Sequence, residues 1–468
     1  MSDLFGKMVL EPILHSIGVF ADRNAFCISD KYYTYGQFGD AVEKARRAVG
    51  GSQKMIWPLQ IGDDMETYAM IIALWLEGKA YVPINPHQPV ERNKIIVEQI
   101  SQSDNYQFDD PLAYVLFTSG STGIPKGVAI SRKNVGAFMD SFWKTGIEID
   151  ESDRCLQCFD LTFDVSVQSF LAALSKGACV YTVPYGQVKY LNVASLIHEK
   201  HITFGAMAPS ILTYLRPYFD EIDATEFKTC ILTAEACPVD LIVDWQKCAP
   251  NVKVYAFYGP TEATVYATYY QCPRENAPLS VNGVVSIGKP LANVKTVIMN
   301  EEGMVIEKPF EKGELCLAGD QVTQGYWNNK EKNTSSFSMI SVNGKTQRYY
   351  HTGDICFWDV SGNLMYLGRI DHQAKIQGFR VELSEIEYHA RSFYENKVRV
   401  AAVAFQNGQG LSEIALFVEH EGKTMDALNK YLRDKMPSYM IPSRVVFLNE
   451  IPLNINDKID RNKLKGLL

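Results

Sequence analysis

The sequence contains no apolar run long enough to cross a bilayer. The longest, around Met70 to Leu76, falls far short of the about 20 residues that a spanning helix needs. Runs of lysine or arginine are also missing, and the net charge is −8. Nothing could neutralise several phosphates in a row, so nucleic acid is not an expected partner, and neither is a membrane. The opening stretch MSDLFGKMVLEPIL carries Asp3 and Glu11 where a leader would be apolar. No secretory signal is expected, and the cytoplasm is the expected location. Internal repeats and low-complexity segments are absent. Of ten cysteines, only Cys155 and Cys158 form a CxxC pair, and no second pair or histidine pair follows at zinc spacing. Reduced, mostly buried thiols are the expectation, without disulfide or metal.

What is present is an ordinary globular composition, 46% hydrophobic and 21% charged, over 468 residues, which is enough for more than one domain. Short β-rich runs at 113–117, 179–183 and 252–257 alternate with helix-like segments at 134–143 and 193–200. That alternation predicts an α/β architecture with largely parallel sheets flanked by helices. The pattern restarts on a smaller scale near the end. VELSEIEYHARSFY reads as a helix, VRVAAVAF and EIALFVE as strands, and Met425 to Arg433 as a second helix. A core domain over 1–370 and a small α+β domain over 371–468 are expected, with the boundary in GRIDHQ.

Residues 117 to 127 read FTSGSTGIPKG. A buried-strand pattern, AYVLF, precedes them and another, VAI, follows. Three glycines let backbone N–H groups converge, because no Cβ obstructs a close approach. Thr118, Ser119, Ser121 and Thr122 add hydroxyl donors, and Lys126 adds a positive charge. This is the chemistry of a phosphate cradle. It is not a Walker A loop, which needs Ser or Thr directly after Gly-Lys.

TSGSTGIPKG resembles the signature loop of the acyl-adenylate-forming superfamily, which includes acyl-CoA synthetases, luciferases and the adenylation domains of non-ribosomal peptide synthetases. Further stretches resemble that family's motifs in the family's order. They are KYYTYGQF, LEGKAYVPINP, FDVSVQSF, YGPTEATV, GELCLAG, YYHTGD, GRIDHQAKIQGFRVELSEIE and NDKIDR. The likeness runs over essentially the whole chain.

The resemblance implies a two-step reaction with ATP and Mg²⁺. A carboxylate attacks the α-phosphate and releases pyrophosphate, and a thiol then displaces AMP. Thr118, Ser119, Gly120, Ser121, Thr122 and Gly123 would hold the phosphates, with Lys126 as counter-charge. Tyr258 would stack on adenine, Thr261 would contact phosphate, and Glu262 would help hold the metal, which takes oxygen ligands. By itself Glu262 reads first as a solvated turn carboxylate. Asp354 resembles the acceptor of the ribose hydroxyls and Arg369 its ribose or phosphate neighbour. Asp371 matches the hinge, about which the small domain would move, and Lys375 the face presented in the second step. Lys458, which alone would read as a tail lysine, matches the catalytic lysine of the first step. The family usually has glycine before it, where this chain has Asp457.

Asp164 matches the aspartate that pairs with the substrate ammonium in amino-acid-activating members; alone it reads also as a surface residue or helix cap. The side-chain pocket would take Val165 and Gln168 from one motif, Ala206, Leu232 and Ala234 from others, and Phe257, Val265 and Tyr266 around YGPTE. No charge lines it, and its bulky rings favour a small substrate. Proline or a close analogue is the first expectation, then alanine or another small apolar amino acid. The chain ends ten residues after Lys458, so a free-standing, monomeric enzyme loading a separate carrier protein in trans is expected. An acid–CoA ligase and an inactive carrier-binding homologue are the rival readings.

Overall fold

The computed structural model describes residues 3–101, 110–120, 124–186, 188–370, 373–420, 425–453 and 459–468. The chain packs into two compact units. One comprises Met1–Ile84, Asn105–Leu116 and Gly127–Ile370; the other Asn85–Asp104, Phe117–Lys126 and Asp371–Leu468. The second unit thus takes in two segments from the N-terminal half.

The first unit is built on mixed sheets flanked by helices. The centre of its nine-stranded sheet is parallel: Lys253–Tyr258, Thr229–Leu232, Phe204–Met207, Arg154–Gln157, Cys179–Thr182 and Asn24–Ile28 run alongside one another in that order. These strands are short and buried over nearly their whole length, as the continuous apolar runs predict for a sheet covered on both faces. Antiparallel strands close the edges. A five-stranded sheet holds Leu112–Thr118 and Lys126–Ser131, the two strands bounding the glycine-rich loop. A six-stranded antiparallel sheet over 294–369 supplies Asp354 and Arg369.

The helix after the loop, Arg132–Trp143, begins where Ser131 and Asn134 form a reciprocal cap. All ten cysteines are reduced, nine of them buried. Cys155 and Cys158 lie in and just beyond a core strand, and the Cys158 thiol faces the Ala206 carbonyl at 3.3 Å. Among the described residues no helix is long and apolar enough to cross a membrane.

The second unit has a hairpin, Gln373–Ile376 and Phe379–Glu382, leading into the helix Leu383–Phe393. A three-stranded sheet of Val400–Gln406, Ser412–Glu419 and Arg444–Leu448 and the helix Met425–Arg433 complete its core around Ile386, Leu416 and Leu428. The helix Val90–Ser101 belongs to the same unit.

Candidate active site

Within the first unit, Asp354 and Arg369 face each other on neighbouring strands, and the guanidinium donates to the carboxylate at 2.7 Å. Arg369 also reaches the Thr352 carbonyl at 3.0 Å. The Tyr258 hydroxyl donates to the other Asp354 oxygen at 2.5 Å. Three side chains expected around a nucleoside thus form one buried cluster. Gly259 follows directly. A Cβ there would overlap the Val265 carbonyl and lie 2.6 Å from Tyr266 Cα, so the turn needs glycine.

Beyond it, Thr261–Ala263 make one 3₁₀ turn, and Thr264 and Val265 both adopt left-handed backbone (φ 57° and 67°). Two consecutive β-branched residues in that region store strain that the surroundings must hold in place. The Thr264 hydroxyl does so in part, donating to Gln321 O at 2.6 Å. The turn carries Glu262 into a fully buried position, where the Tyr326 hydroxyl donates to it at 2.6 Å.

Asp164 opens the helix Asp164–Leu174, and Gln168, one turn on, shares its face. Both are buried, and Asp164 Oδ2 and Gln168 Nε2 have no hydrogen-bond partner among the described residues. Burial pushes the Asp164 carboxyl up to about 7. Hydrogen bonds from Thr261 and from the Val165 and Val265 backbone oppose that, while the neighbouring Glu262 charge adds to it. Two repelling buried carboxylates favour a cation beside either one.

Tyr266 donates to Gln168 Oε1 at 3.3 Å, and its ring packs 4.6 Å from Phe257. Phe257, Val165, Tyr266 and Ala206 share one core cluster. Ala234 lies two residues beyond the strand Thr229–Leu232, in left-handed backbone (φ 70°). Leu232 does not join the group. Ala206 stands opposite Ile231, so Leu232 points through the sheet into another cluster. The side-chain period of two means that a one-residue offset reverses the face. Ile231 is the residue that shares the face of Ala206, and no local signal in the sequence marks that register.

In the second unit, the described part of the glycine-rich loop is held by carboxylates. Lys126 Nζ lies 3.2 Å from Glu382 Oε1, and both side chains are nearly buried. Gly120 N donates to Glu385 Oε2 at 3.0 Å, and Arg92 pairs with Glu385 Oε1 at 3.0 Å. Ser119 donates to the Arg380 carbonyl at 3.0 Å and accepts from Glu382 N at 3.1 Å. A Cβ on Gly120 would overlap the Ile124 carbonyl. Thr118 donates weakly to Lys126 O at 3.5 Å. Lys126 Nζ and Gly120 N therefore hold anionic oxygens, the chemistry that a polyphosphate also presents. Arg92, Glu382 and Glu385 were invisible as partners in the sequence, because each lies far along the chain from Lys126. Lys375 lies on the hairpin strand Gln373–Ile376. Ser121, Thr122, Gly123, Asp371 and Lys458 lie outside the described residues.

The AMP-binding enzyme family profile matches residues 101–327. Tyrocidine synthase 2 of Brevibacillus parabrevis is 30% identical over 454 residues, an alignment covering 89% of this chain and 12% of that protein. Tyrocidine synthase 1 of the same organism is 30% identical over 503 residues, covering 98% of this chain and 45% of that protein. The chain thus spans less than half the length of these curated relatives. The solved structure of the Vibrio cholerae adenylation domain AlmE in complex with glycyl-adenosine-5′-phosphate superposes with a TM-score of 0.84 at 25% identity, covering 98% of this chain and 97% of that one. The same ordered motifs, carried on the fold and the clustered residues described above, make this chain a member of the AMP-binding enzymes, the acyl-adenylate-forming superfamily.

Proposed function

We propose that the protein activates a small neutral amino acid with ATP and Mg²⁺ and transfers the aminoacyl group to the phosphopantetheine thiol of a separate carrier protein. In the first step the substrate carboxylate attacks the α-phosphate and pyrophosphate leaves. In the second the thiol sulfur attacks the aminoacyl carbonyl, AMP leaves, and the thiol proton passes to solvent. The single observation that carries the reading is the buried Asp164 carboxylate. One of its oxygens is left for an ammonium, in a setting where an unpaired charge is costly.

Glu262 would supply an oxygen ligand to the metal, which lowers the repulsion between phosphates and entering carboxylate. Tyr258, Asp354 and Arg369 would hold the nucleoside, and Thr261 a phosphate. The glycine-rich loop, 118–123, with Lys126, would take the other phosphates. Residues 371–468 would act as a mobile domain turning at Asp371 and presenting Lys375 in the second step. Val165, Gln168, Ala206, Ala234, Phe257, Val265 and Tyr266 would line the side-chain pocket. The packed rings of Phe257 and Tyr266 favour glycine and alanine over the larger proline. The AlmE structure, solved with a glycyl-adenylate, supports the same end of the scale.

The deciding experiment is ATP–pyrophosphate exchange over a panel of L- and D-amino acids and their des-amino counterparts. Exchange with a small amino acid and none with its des-amino acid is the expected result. Exchange with a des-amino acid would move the protein to acid–CoA ligation, and no exchange at all to carrier binding alone.

Two further outcomes are expected. Asp164 must be ionised to bind an ammonium, and its free-protein carboxyl sits at about 7 against an ordinary 3.8. The amino-acid KM should therefore rise as pH falls from about 8 through 7 to 6, while the ATP KM changes little. The raised value also makes the unliganded protein lose this group's share of stability as pH climbs between about 4 and 7, and thermal melting without ligand reads that loss. Separately, Glu382→Gln removes an anion that competes for Lys126. It should lower the ATP KM roughly three- to tenfold, or about 0.7–1.4 kcal/mol; an unchanged or raised KM argues against the competition.

A further inference from the structure

The six-stranded antiparallel sheet carries a side-chain group that the proposed reaction does not use. Glu314 and Cys316 are two apart on the strand Gly313–Gly319 and so point to one face. Cys316 stands opposite His351 on the strand Lys345–Trp358. His351 Nδ1 lies 2.9 Å from Glu314 Oε2 and 3.4 Å from Cys316 Sγ, and the three atoms are mutually within 4.8 Å. Cys316 is fully buried, whereas the Glu314 and His351 side chains are 22% and 23% exposed, so solvent reaches the group from one side.

The surroundings hold each of these side chains in place. Ser338 Oγ lies 2.7 Å from His351 Nε2, and Gly353 N donates to Glu314 Oε1 at 2.9 Å. Such outer partners fix ring orientation and carboxylate rotamer in metal sites. Met299 Sδ packs 3.6 Å from the thiol on the inner side. Bonds of about 2.0–2.3 Å to nitrogen, oxygen and sulfur in a tetrahedron put ligand atoms roughly 3.3–3.6 Å apart. The Sγ–Nδ1 edge of 3.4 Å falls in that range, and the Oε2–Nδ1 edge of 2.9 Å lies about 0.4 Å below it. A thiolate, an imidazole and a carboxylate together select zinc-class ions over Mg²⁺ or Ca²⁺.

We propose that Glu314, Cys316 and His351 bind one zinc-class divalent ion through Oε2, Sγ and Nδ1, with water as fourth ligand. Three new bonds to the ion form. The Cys316 S–H bond breaks and its proton goes to solvent, while His351 stays neutral with its proton moved to Nε2, where Ser338 Oγ accepts it. The ion would span a bulge. Between the two strands' paired positions, 314 to 316 on one is matched by 355 to 351 on the other, and Asp354 lies within that stretch. Binding is therefore structural, pinning the strands that present Asp354.

The test uses the full chain, stripped with chelator and kept reduced, titrated with Zn²⁺ by calorimetry and with Co²⁺ for its thiolate charge-transfer band. One equivalent should bind with release of a proton and raise the melting temperature. Cys316→Ser and His351→Gln should each weaken binding by more than about 100-fold, and Ser338→Ala by about tenfold. Cys316→Ser should also abolish the Co²⁺ band. Absence of binding by the unaltered protein overturns the proposal, as does unchanged affinity in both ligand variants. Should Cys316→Ser fail to fold, His351→Gln, at a part-exposed ring, decides alone.

Discussion

Asp164→Asn is expected to lower amino-acid-dependent pyrophosphate exchange by about 150- to 5,000-fold, while the ATP KM stays within a few-fold of the unaltered enzyme. The size follows from leaving an ammonium buried without its carboxylate, a loss of about 3–5 kcal/mol when one member of a buried pair is removed. The defect should appear mainly in the amino-acid KM, because the contact is present in the ground state as well as the transition state. The unliganded variant should melt higher at about pH 8, since it no longer carries a buried carboxylate displaced to about 7. Exchange kinetics and melting on one preparation separate the two effects. Unchanged exchange with the amino acid removes Asp164 from ammonium recognition.

Lys458→Ala is expected to slow the adenylation step by about 10²- to 10³-fold, the usual cost of removing one donor aimed at transition-state charge. It should still load a preformed aminoacyl-adenylate onto a carrier protein, because the family resemblance assigns the lysine to the first step alone. Single-turnover measurement of each half reaction provides the check. Equal slowing of both halves indicates a general folding defect, and normal adenylation removes the lysine from the chemistry.

Element type was largely legible in the sequence. The helix at Met425–Arg433 occupies its expected residues, and the apolar runs at 113–117 and 252–257 became Leu112–Thr118 and Lys253–Tyr258. Continuous β-branched and aromatic runs bounded by turn residues carry that information locally. Face and register were not legible. Leu232 was expected in the pocket, yet its strand places Ile231 beside Ala206 and turns Leu232 to the other side.

The chain by itself determined the succession of parallel-sheet strands and helices and the family, because long ordered motifs and short apolar runs are properties of neighbours in sequence. It also determined which residue types are available for phosphate, metal and ammonium. Only the tertiary structure decided who meets whom. The pairing of Lys126 with Glu382, the Asp354–Tyr258–Arg369 cluster and the Glu314–Cys316–His351 group each join side chains from separate parts of the chain. The raised Asp164 carboxyl is of the same kind, since its position depends on burial by distant segments and on the charge of Glu262. Strand register and burial are set by the packing of remote elements, and no local pattern of residues encodes them.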